Sequence, residues 1–304
     1  MSVLVVGSMG LDTIETPWGR AEDVIGGTAI YCGVAASYFA GVRLVGVVGE
    51  DFPQAEIAFM KSRNIDLAGL EIKPGKSFRW GGRYHLDLNT RDTLFTHLNV
   101  FETFKPVIPE KYRDTPFVFL GNIGPELQLD VLNQVRNPQL VALDTMNYWI
   151  EGTPEALRRV LARIDVLLVN DSEARLLAGE PNLVKAARLI RKMGPKIIII
   201  KKGEHGAIMV SDGTFFWAPA FPLENAFDPT GAGDTFAGGF MGYVTKAAKI
   251  DDETLRQAVI YGSTFASFAV EKFSLDRIRD LKEEEVRSRF GEFQAMTRFT
   301  RPWE

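Results

Sequence analysis

The sequence has a single cysteine, Cys32, among its 304 residues. One cysteine excludes an internal disulfide and a thiolate metal cluster within one chain. The residues on either side of it are apolar, which predicts that Cys32 is a core residue of a buried helix rather than a reactive thiol. The absence of disulfides fits a reducing cytoplasm.

Long hydrophobic runs and a basic N-terminal leader are also lacking. No stretch approaches the roughly 20 apolar residues that a membrane span needs, and the N-terminus is unlike a signal sequence. Two of the three histidines, His85 and His97, share one segment, but neither has a cysteine partner or the carboxylate spacing of a metal site. We therefore expect a cytoplasmic protein with no membrane partner.

An excess of one charge is absent, since 35 basic residues face 39 acidic ones and the formal net charge is -4. Charges of both signs are mixed along the chain, which argues against nucleic acid or an anionic membrane as the main partner. Hydrophobic residues make up 46% of the sequence, enough for a sizeable core. A small molecule is the expected partner.

Short apolar runs alternate with amphipathic segments of helical length, which predicts an α/β fold with a mostly parallel sheet flanked by helices. The predicted strands are Val3–Val6, Leu44–Val48, Phe117–Leu120, Val141–Leu143, Val166–Val169 and Ile197–Ile200. The predicted helices are Thr28–Phe39, Pro53–Arg63, Gln128–Val135, Pro154–Arg163 and Leu183–Met193. We interpret residues 1–304 as one domain.

Two stretches, at about 13–25 and 73–100, interrupt this alternation with aromatic and polar residues in turn. That pattern predicts strands wetted on one face, and hence a small second sheet. As a lid over the crevice at the carboxyl ends of the main strands, it would exclude water from a reactive group. A purely structural sheet, or one that forms a homodimer, is the alternative.

The segment from Asp228 to Asp234 carries the strongest chemical signal. The small residues Gly231, Ala232 and Gly233 precede an apolar helix, so their backbone N–H groups can approach an anion at the helix N-terminus. Asp234 falls in the first turn, where a carboxylate often serves only as a helix cap. Phosphoryl transfer needs a base and donors for the transferred charge, and this turn offers both.

The same segment resembles the signature Asp-Thr-x-Gly-Ala-Gly-Asp-x-Phe of the PfkB, or ribokinase-like, family of sugar and nucleoside kinases, and only Pro229 and Thr230 fit it loosely. The resemblance implies a ribokinase-like three-layer fold and an ATP- and Mg²⁺-dependent transfer of a γ-phosphoryl group to a hydroxymethyl group. It implies that Asp234 is the catalytic base. It also implies that the amides of Gly231, Ala232 and Gly233 form an anion hole.

On the nucleotide side, Asn170-Asp171-Ser172-Glu173 is similar to the family's Asn-x-x-Glu element. The resemblance implies that Asn170 and Glu173 organise the phosphates and that Glu173 acts on the magnesium through water; a plain helix cap is the alternative. The glycine turn after the sixth strand implies ATP contacts, although an ordinary hairpin would look the same. The implied residues are Lys202, Gly203, Gly206 and, near the adenine, Ser263.

On the acceptor side, Asp12 and the pair Gly26-Gly27 match positions where the family binds sugar hydroxyls, and Asn122 follows the third strand. Tyr31 departs from the asparagine that relatives have. Its ring could stack on a base or fill the core, which makes a nucleoside acceptor a serious hypothesis and the one to assay first.

Three other functions compete with this one. A simple sugar kinase, or a catalytically silent nucleotide-binding regulator, would use the same fold. A dinucleotide-dependent oxidoreductase is suggested by Gly7-Ser8-Met9-Gly10, which approximates a Rossmann fingerprint without its full spacing.

Overall fold

The protein is described by a computed structural model that covers residues 1–212 and 214–299. Its β-strands form two sheets. In chain order the strands are β1 (Ser2–Val6), β2 (Gly10–Thr16), β3 (Gly19–Gly26), β4 (Gly41–Gly49), β5 (Ile65–Lys73), β6 (Phe78–Tyr84), β7 (Arg91–His97), β8 (Phe117–Leu120), β9 (Leu140–Asp144), β10 (Val166–Asn170), β11 (Ile197–Lys201), β12 (Ala207–Val210) and β13 (Phe215–Ala218).

The large sheet has the order β13-β12-β11-β10-β9-β8-β1-β4-β5. The seven strands from β11 to β5 at the other end of this order are parallel to one another. Strands β12 and β13 add an antiparallel edge next to β11. The six apolar runs predicted as strands are the central strands β1, β4, β8, β9, β10 and β11, which confirms the α/β prediction. They are near-continuously apolar because both faces of the sheet are covered.

Helices cover both faces of this sheet. They are α1 (Thr28–Ala36), α2 (Gln54–Ser62), α3 (Pro125–Gln134), α4 (Asn147–Gly152), α5 (Pro154–Leu161), α6 (Asp171–Ala178), α7 (Leu183–Arg191), α8 (Ala232–Ala247), α9 (Asp252–Ala269), α10 (Asp276–Arg279) and α11 (Glu283–Thr297). Short 3-10 turns occur at Asn99–Thr103, Glu110–Tyr112 and Gly203–His205.

The core is divided by the sheet into two apolar clusters. In β1, Val3 and Val5 belong to the cluster shared with α1, α8 and α9, whereas Leu4 and Val6 belong to the cluster shared with α3, α5 and α7. Alternate residues of one strand therefore enter opposite layers, as the pleat of a strand requires. The result is a three-layer helix–sheet–helix architecture, and Cys32 is buried in the first cluster.

The small sheet has the order β3-β2-β6-β7. Strand β2 pairs with β3 in antiparallel and with β6 in parallel, and β6 pairs with β7 in antiparallel. The small sheet starts at Gly10, earlier than the predicted range 13–25, so Asp12 lies on this sheet. Its function as a lid stays a prediction.

Three strands of the large sheet were not predicted: β5, β12 and β13. Strand β5 lies at the edge, is interrupted by Gly69 and mixes exposed with buried residues, so it shows neither an apolar run nor a strict alternation. The other two are four residues long each. Among the described residues, no helix combines the length and the apolar character that crossing a membrane requires.

Candidate active site

A glycine turn opens helix α8 at the centre of the site. Gly231 is the N-cap and has a left-handed backbone with φ 71°, so the chain enters the helix sharply at Ala232 and Gly233. The first amides of a helix have no partner within it and attract anions. The Ala232 amide donates to the Pro229 carbonyl oxygen at 3.2 Å, so among the described residues the turn presents the amides of Gly231 and Gly233 as free donors for an anion.

The loop before this turn is held by Asp228, which is completely buried. Its Oδ1 accepts a hydrogen bond from the Thr230 amide at 2.8 Å, and its Oδ2 accepts one from the Ser274 amide at 2.9 Å. Both oxygens are thus committed to backbone donors. The geometry makes Asp228 a brace for the turn rather than a proton acceptor for a ligand.

Asp234 lies in the first turn of α8, three residues after the N-cap, so it is not the cap of that helix. Burial, with a further contribution from the charge of Asp144, raises the pKa of Asp234 to about 7. The ammonium of Lys201 and a hydrogen bond from Thr28 act in the opposite direction. A carboxylate with such a pKa can exchange a proton near neutral pH, as a general base must.

Two charged groups beside Asp234 were not assigned to the site from the sequence. The Nζ of Lys201, at the end of β11, lies 3.4 Å from Oδ2 of Asp144, at the end of β9. Burial raises the pKa of Asp144, whose Oδ1 accepts a hydrogen bond from the Thr145 amide at 2.9 Å. The signal that could have found Lys201 is its position at the carboxyl end of a central strand.

Asn170 and Glu173 form a complete capping box at the start of α6. Asn170 Oδ1 accepts from the Glu173 amide at 2.8 Å, and Glu173 Oε2 accepts from the Asn170 amide at 2.7 Å. The structural alternative for this motif is therefore present. Burial, with the nearby charge of Asp144, also raises the pKa of Glu173 to about 7, so its carboxylate belongs to the same electrostatic cluster as Asp234.

The other predicted nucleotide residues are dispersed. The Nζ of Lys202 lies 4.7 Å from the centre of the Trp217 ring, while its neighbour Lys201 points to the cluster. Gly203 and Gly206 bound the turn between β11 and β12. Ser263 is buried in the middle of α9. Contacts of these residues with ATP stay predictions.

The predicted acceptor residues Asp12, Gly26 and Gly27 lie together. A side chain on Gly26 would overlap the Asp12 carboxylate, so this glycine makes room for it. Gly27 is the N-cap of α1, with φ 101°. Burial, together with the charges of Asp228 and Asp234, raises the pKa of Asp12 to about 8. Asp12 and Asp234 therefore lie within electrostatic reach of each other.

The Tyr31 ring lies in the core beneath the turn, and not on a surface where a base could stack. The ring is buried with 1% exposure, and three ring atoms lie 2.5 Å from where a Cβ on Gly231 would be. The ring packs beneath the turn and is not free to stack on a base. Among the described residues its hydroxyl has no hydrogen-bond partner, so a role in acceptor contact stays a prediction for that group.

Asn122 is tied to the loop after β9 rather than to the acidic cluster. Its Oδ1 accepts a hydrogen bond from Trp149 Nε1 at 2.9 Å, and its Nδ2 lies 3.1 Å from the Met146 sulfur. Its contact with an acceptor stays a prediction.

The small sheet contacts both sides of this site. Thr230 Oγ1, in the glycine turn, donates a hydrogen bond to the Tyr84 hydroxyl at 3.2 Å. Arg91 pairs with Tyr84 across β6 and β7, and its charge lowers the pKa of both Asp12 and Asp234. On the other side, Asn89 Oδ1 lies 2.6 Å from the Cβ position of Gly203. The hairpin of β6 and β7 therefore contacts both the turn before α8 and the turn after β11.

Metal binding would depend on the nucleotide. Within residues 1–212 and 214–299, no group of three or more His, Cys, Asp or Glu side chains could hold a metal ion. Mg²⁺ is usually held by one or two carboxylates together with substrate phosphates and water. Glu173, whose charge acts on Lys201 in the same cluster as Asp234, fits that kind of binding.

A parallel sheet with a carboxylate beside helix N-terminal amides is the arrangement of an α/β small-molecule kinase. The description "pfkB family carbohydrate kinase" is that of the family model that matches residues 126–279. The chain belongs to this family, and it is a nucleoside or carbohydrate kinase whose relatives use ATP with Mg²⁺. The oxidoreductase hypothesis is wrong, because Gly10 begins a strand instead of the helix that a dinucleotide fingerprint needs.

A relative at 32% identity supports this membership, and two solved structures show the same fold. A cytidine kinase of Thermococcus kodakarensis is 32% identical over 83% of this chain and 91% of its own length. The solved structure of a Burkholderia thailandensis nucleoside kinase in complex with inosine has a TM-score of 0.76 at 20% identity and covers 96% of this chain and 99% of that one. An E. coli structure in complex with ATP and Mg²⁺ has a TM-score of 0.77 at 18% identity, with 96% and 99% covered.

Proposed function

We propose that the protein transfers the γ-phosphoryl group of Mg-ATP to the hydroxymethyl group of a ribonucleoside, with Asp234 as the base. The observation that carries this proposal is the buried carboxylate of Asp234 in the first turn of α8, within electrostatic reach of both Asp12 and Lys201. Its charge acts on Asp12, which would bind acceptor hydroxyls, and it interacts with Lys201 on the phosphate side. A hydroxyl bound at Asp12 would therefore lie near the Asp234 carboxylate, which follows directly on the anion turn, Gly231 to Gly233.

The residues divide the chemistry among them. Asp234 would take the proton of the attacking hydroxyl, and the amides of Gly231, Ala232 and Gly233 would bind the equatorial oxygens of the transferred group. Magnesium, when bound with ATP, neutralises charge on the β- and γ-phosphates. Asn170, Glu173, Lys202, Gly203, Gly206 and Ser263 would contact the nucleotide, with Glu173 acting on the metal through water.

A nucleoside is favoured over a free sugar by the relatives named as a cytidine kinase and a nucleoside kinase. Because the Tyr31 ring is buried under Gly231, an aromatic contact with the base would have to come from elsewhere, and Trp80 on β6 is a candidate. The small sheet would act as a lid that excludes water, supported by its contacts at Thr230 and Gly203.

ADP release should be measured with cytidine, uridine, adenosine, inosine, ribose and fructose as acceptors. We expect kcat/KM for at least one ribonucleoside to exceed that for ribose by about tenfold or more, because added base contacts contribute transition-state binding. EDTA should abolish turnover, and added Mg²⁺ should restore it. Equal or better use of ribose or fructose would favour a sugar kinase, and no turnover with any acceptor would favour the silent regulator.

Replacing Gly26 with alanine should impair acceptor binding selectively. The new methyl group would overlap the Asp12 carboxylate and displace it. Loss of hydrogen bonds to that group should raise the KM for the acceptor about 10- to 100-fold and leave the KM for Mg-ATP within about twofold. Gly291→Ala is the control, because a Cβ there meets no atom within 4 Å. An unchanged acceptor KM in Gly26→Ala would argue against Asp12 as an acceptor ligand.

A further inference from the structure

The ammonium of Lys201 lies against the anion turn formed by Gly231, Ala232 and Gly233. Among the described contacts of this turn, it is the nearest positively charged group. Its Nζ lies 2.9 Å from the position that a Cβ on Gly233 would occupy. Gly233 thus leaves space that the ammonium faces, beside an amide at the helix N-terminus. The Lys201 side chain is 16% exposed, so the group is largely shielded and yet open to the site.

The position of this ammonium is set by Asp144. The pair spans β9 and β11, on either side of β10, with Nζ 3.4 Å from Oδ2, and Asp144 is itself held by the Thr145 amide at 2.9 Å. Among the described residues, Asp144 is the hydrogen-bond acceptor found for Lys201 Nζ. An ammonium has three donors, so this pairing leaves donors for an anion at the turn.

The surroundings keep Lys201 charged. Burial by itself lowers the pKa of a lysine, but the charges of three carboxylates outweigh it here and raise the pKa of Lys201. Those carboxylates are Asp144, Glu173 and Asp234. A permanent cation next to a helix N-terminus is what a phosphoryl group with two or more negative charges requires.

We propose that Lys201 is a catalytic residue whose ammonium binds the transferred phosphoryl group beside the Gly233 amide. The inference deepens the proposed kinase function and rests on it. In the step, the acceptor oxygen forms a bond to the γ-phosphorus, the bond from that phosphorus to the β–γ bridging oxygen breaks, and ADP leaves. The hydroxyl proton passes to Asp234. Lys201 neither gains nor loses a proton but offsets the charge of the moving group.

The alternative is a lysine that only neutralises Asp144 and holds two strands together. Loss of a lysine with only a structural role would affect stability and leave the kcat of the folded protein unchanged, whereas loss of a catalytic lysine would lower kcat in the folded protein. Other groups also act on the Asp234 carboxyl or feel its charge, and their contributions must be unchanged between variants. These groups are Asp12, Thr28, Cys32, Arg91 and Asp144.

The test compares Lys201→Met and Lys201→Arg with Lys196→Met, which removes an exposed lysine from the residue preceding the same strand. We expect kcat to fall about 100- to 1000-fold in Lys201→Met, as for the loss of one transition-state donor, with partial recovery in Lys201→Arg and little change in Lys196→Met. The acid limb of the pH profile should move to higher pH, because a charge that lowers the pKa of Asp234 is lost. Lys201→Met within about threefold of Lys196→Met in kcat would overturn the assignment.

Two further measurements keep the test decisive. If Lys201→Met is unstable because Asp144 is left unpaired, the double variant Lys201→Met with Asp144→Asn removes both charges, and its kcat should still be reduced. If the wild type phosphorylates no acceptor, the proposed function fails, and the inference is then judged by calorimetric binding of Mg-ATP. Lys201→Met should bind Mg-ATP more weakly than Lys196→Met, and equal affinities would overturn the inference.

Discussion

Asp234→Asn should lower kcat by about 100- to 10,000-fold, the contribution that a positioned general base makes to proton transfer. The amide cannot accept the acceptor proton, yet it keeps the size of the side chain in the first turn of α8. Affinity for Mg-ATP should change little, because the anion turn consists of backbone groups. Steady-state kinetics and calorimetric titration with Mg-ATP measure the two quantities.

The matched control is Asp252→Asn. Asp252 also lies in the first turn of a helix, α9, but it pairs with Arg256 on the surface. Both variants remove a carboxylate near a helix N-terminus, so a difference between them reports position in the site and not helix stability. A kcat for Asp234→Asn within about tenfold of the control would show that Asp234 is not the base.

The pH dependence of kcat/KM tests the same residue independently. Burial raises the pKa of Asp234 to about 7, so the carboxylate that accepts a proton forms only as the pH rises through that value. Activity of the wild type should therefore increase about tenfold in total from pH 6 to pH 8, as the deprotonated fraction rises from about one tenth to about nine tenths. The residual activity of Asp234→Asn should lack this limb. Because Glu173 also has a pKa of about 7, the apparent value belongs to the cluster.

Gly231→Ala should reduce kcat by about 100- to 1000-fold, comparable to losing an oxyanion donor. The backbone of Gly231 has φ 71°, and a new Cβ would lie 2.5 Å from three atoms of the buried Tyr31 ring. The ring is buried and has no space to move into, so the backbone of the turn must shift. The N–H groups of the turn would then no longer point to the bound anion. Thermal unfolding and kcat report the two consequences separately.

Gly179→Ala is the control that separates the effect of backbone strain in Gly231→Ala from the effect of its steric clash with Tyr31. Gly179 has nearly the same backbone angle, φ 62°, at the end of α6, but a Cβ there meets no atom within 4 Å. Its replacement should cost about 1–2 kcal/mol of stability from the left-handed conformation alone and should leave kcat unchanged. If Gly231→Ala keeps the kcat of this control, the turn does not depend on the contact with Tyr31.

The sequence predicted the glycine turn and its aspartate because their chemistry is local. A run of three small residues and a carboxylate within one helical turn keeps the same spacing between its members in any tertiary context. The capping box of Asn170 and Glu173 is local in the same sense, and it is present. Sequence alone could not show that both oxygens of Asp228 are occupied, since one of its donors is Ser274, 46 residues away.

Which of the neighbouring lysines, Lys201 or Lys202, points to the site could not be predicted from the local sequence. Strand β11 has the sequence Ile-Ile-Ile-Ile before the two lysines, so both of its faces are apolar. The sequence therefore does not show which residues point to which face of the sheet. A strand with one wet face would have told which lysine points to the site. In this strand the orientation depends on the neighbouring strands and on Asp144, which the alternation of the chain does not reveal.

The sequence by itself determined the α/β class and the family membership that the glycine signature implies, and it predicted Asp234 as the base beside the turn from Gly231 to Gly233. The tertiary structure alone decided which lysine reaches Gly233, that the Tyr31 ring lies beneath Gly231, and that burial brings the pKa of Asp234 to about 7. The physical reason is the distance along the chain over which each interaction acts. Periodicity and turn chemistry act over a few residues, whereas burial and charge coupling depend on groups that only folding brings together.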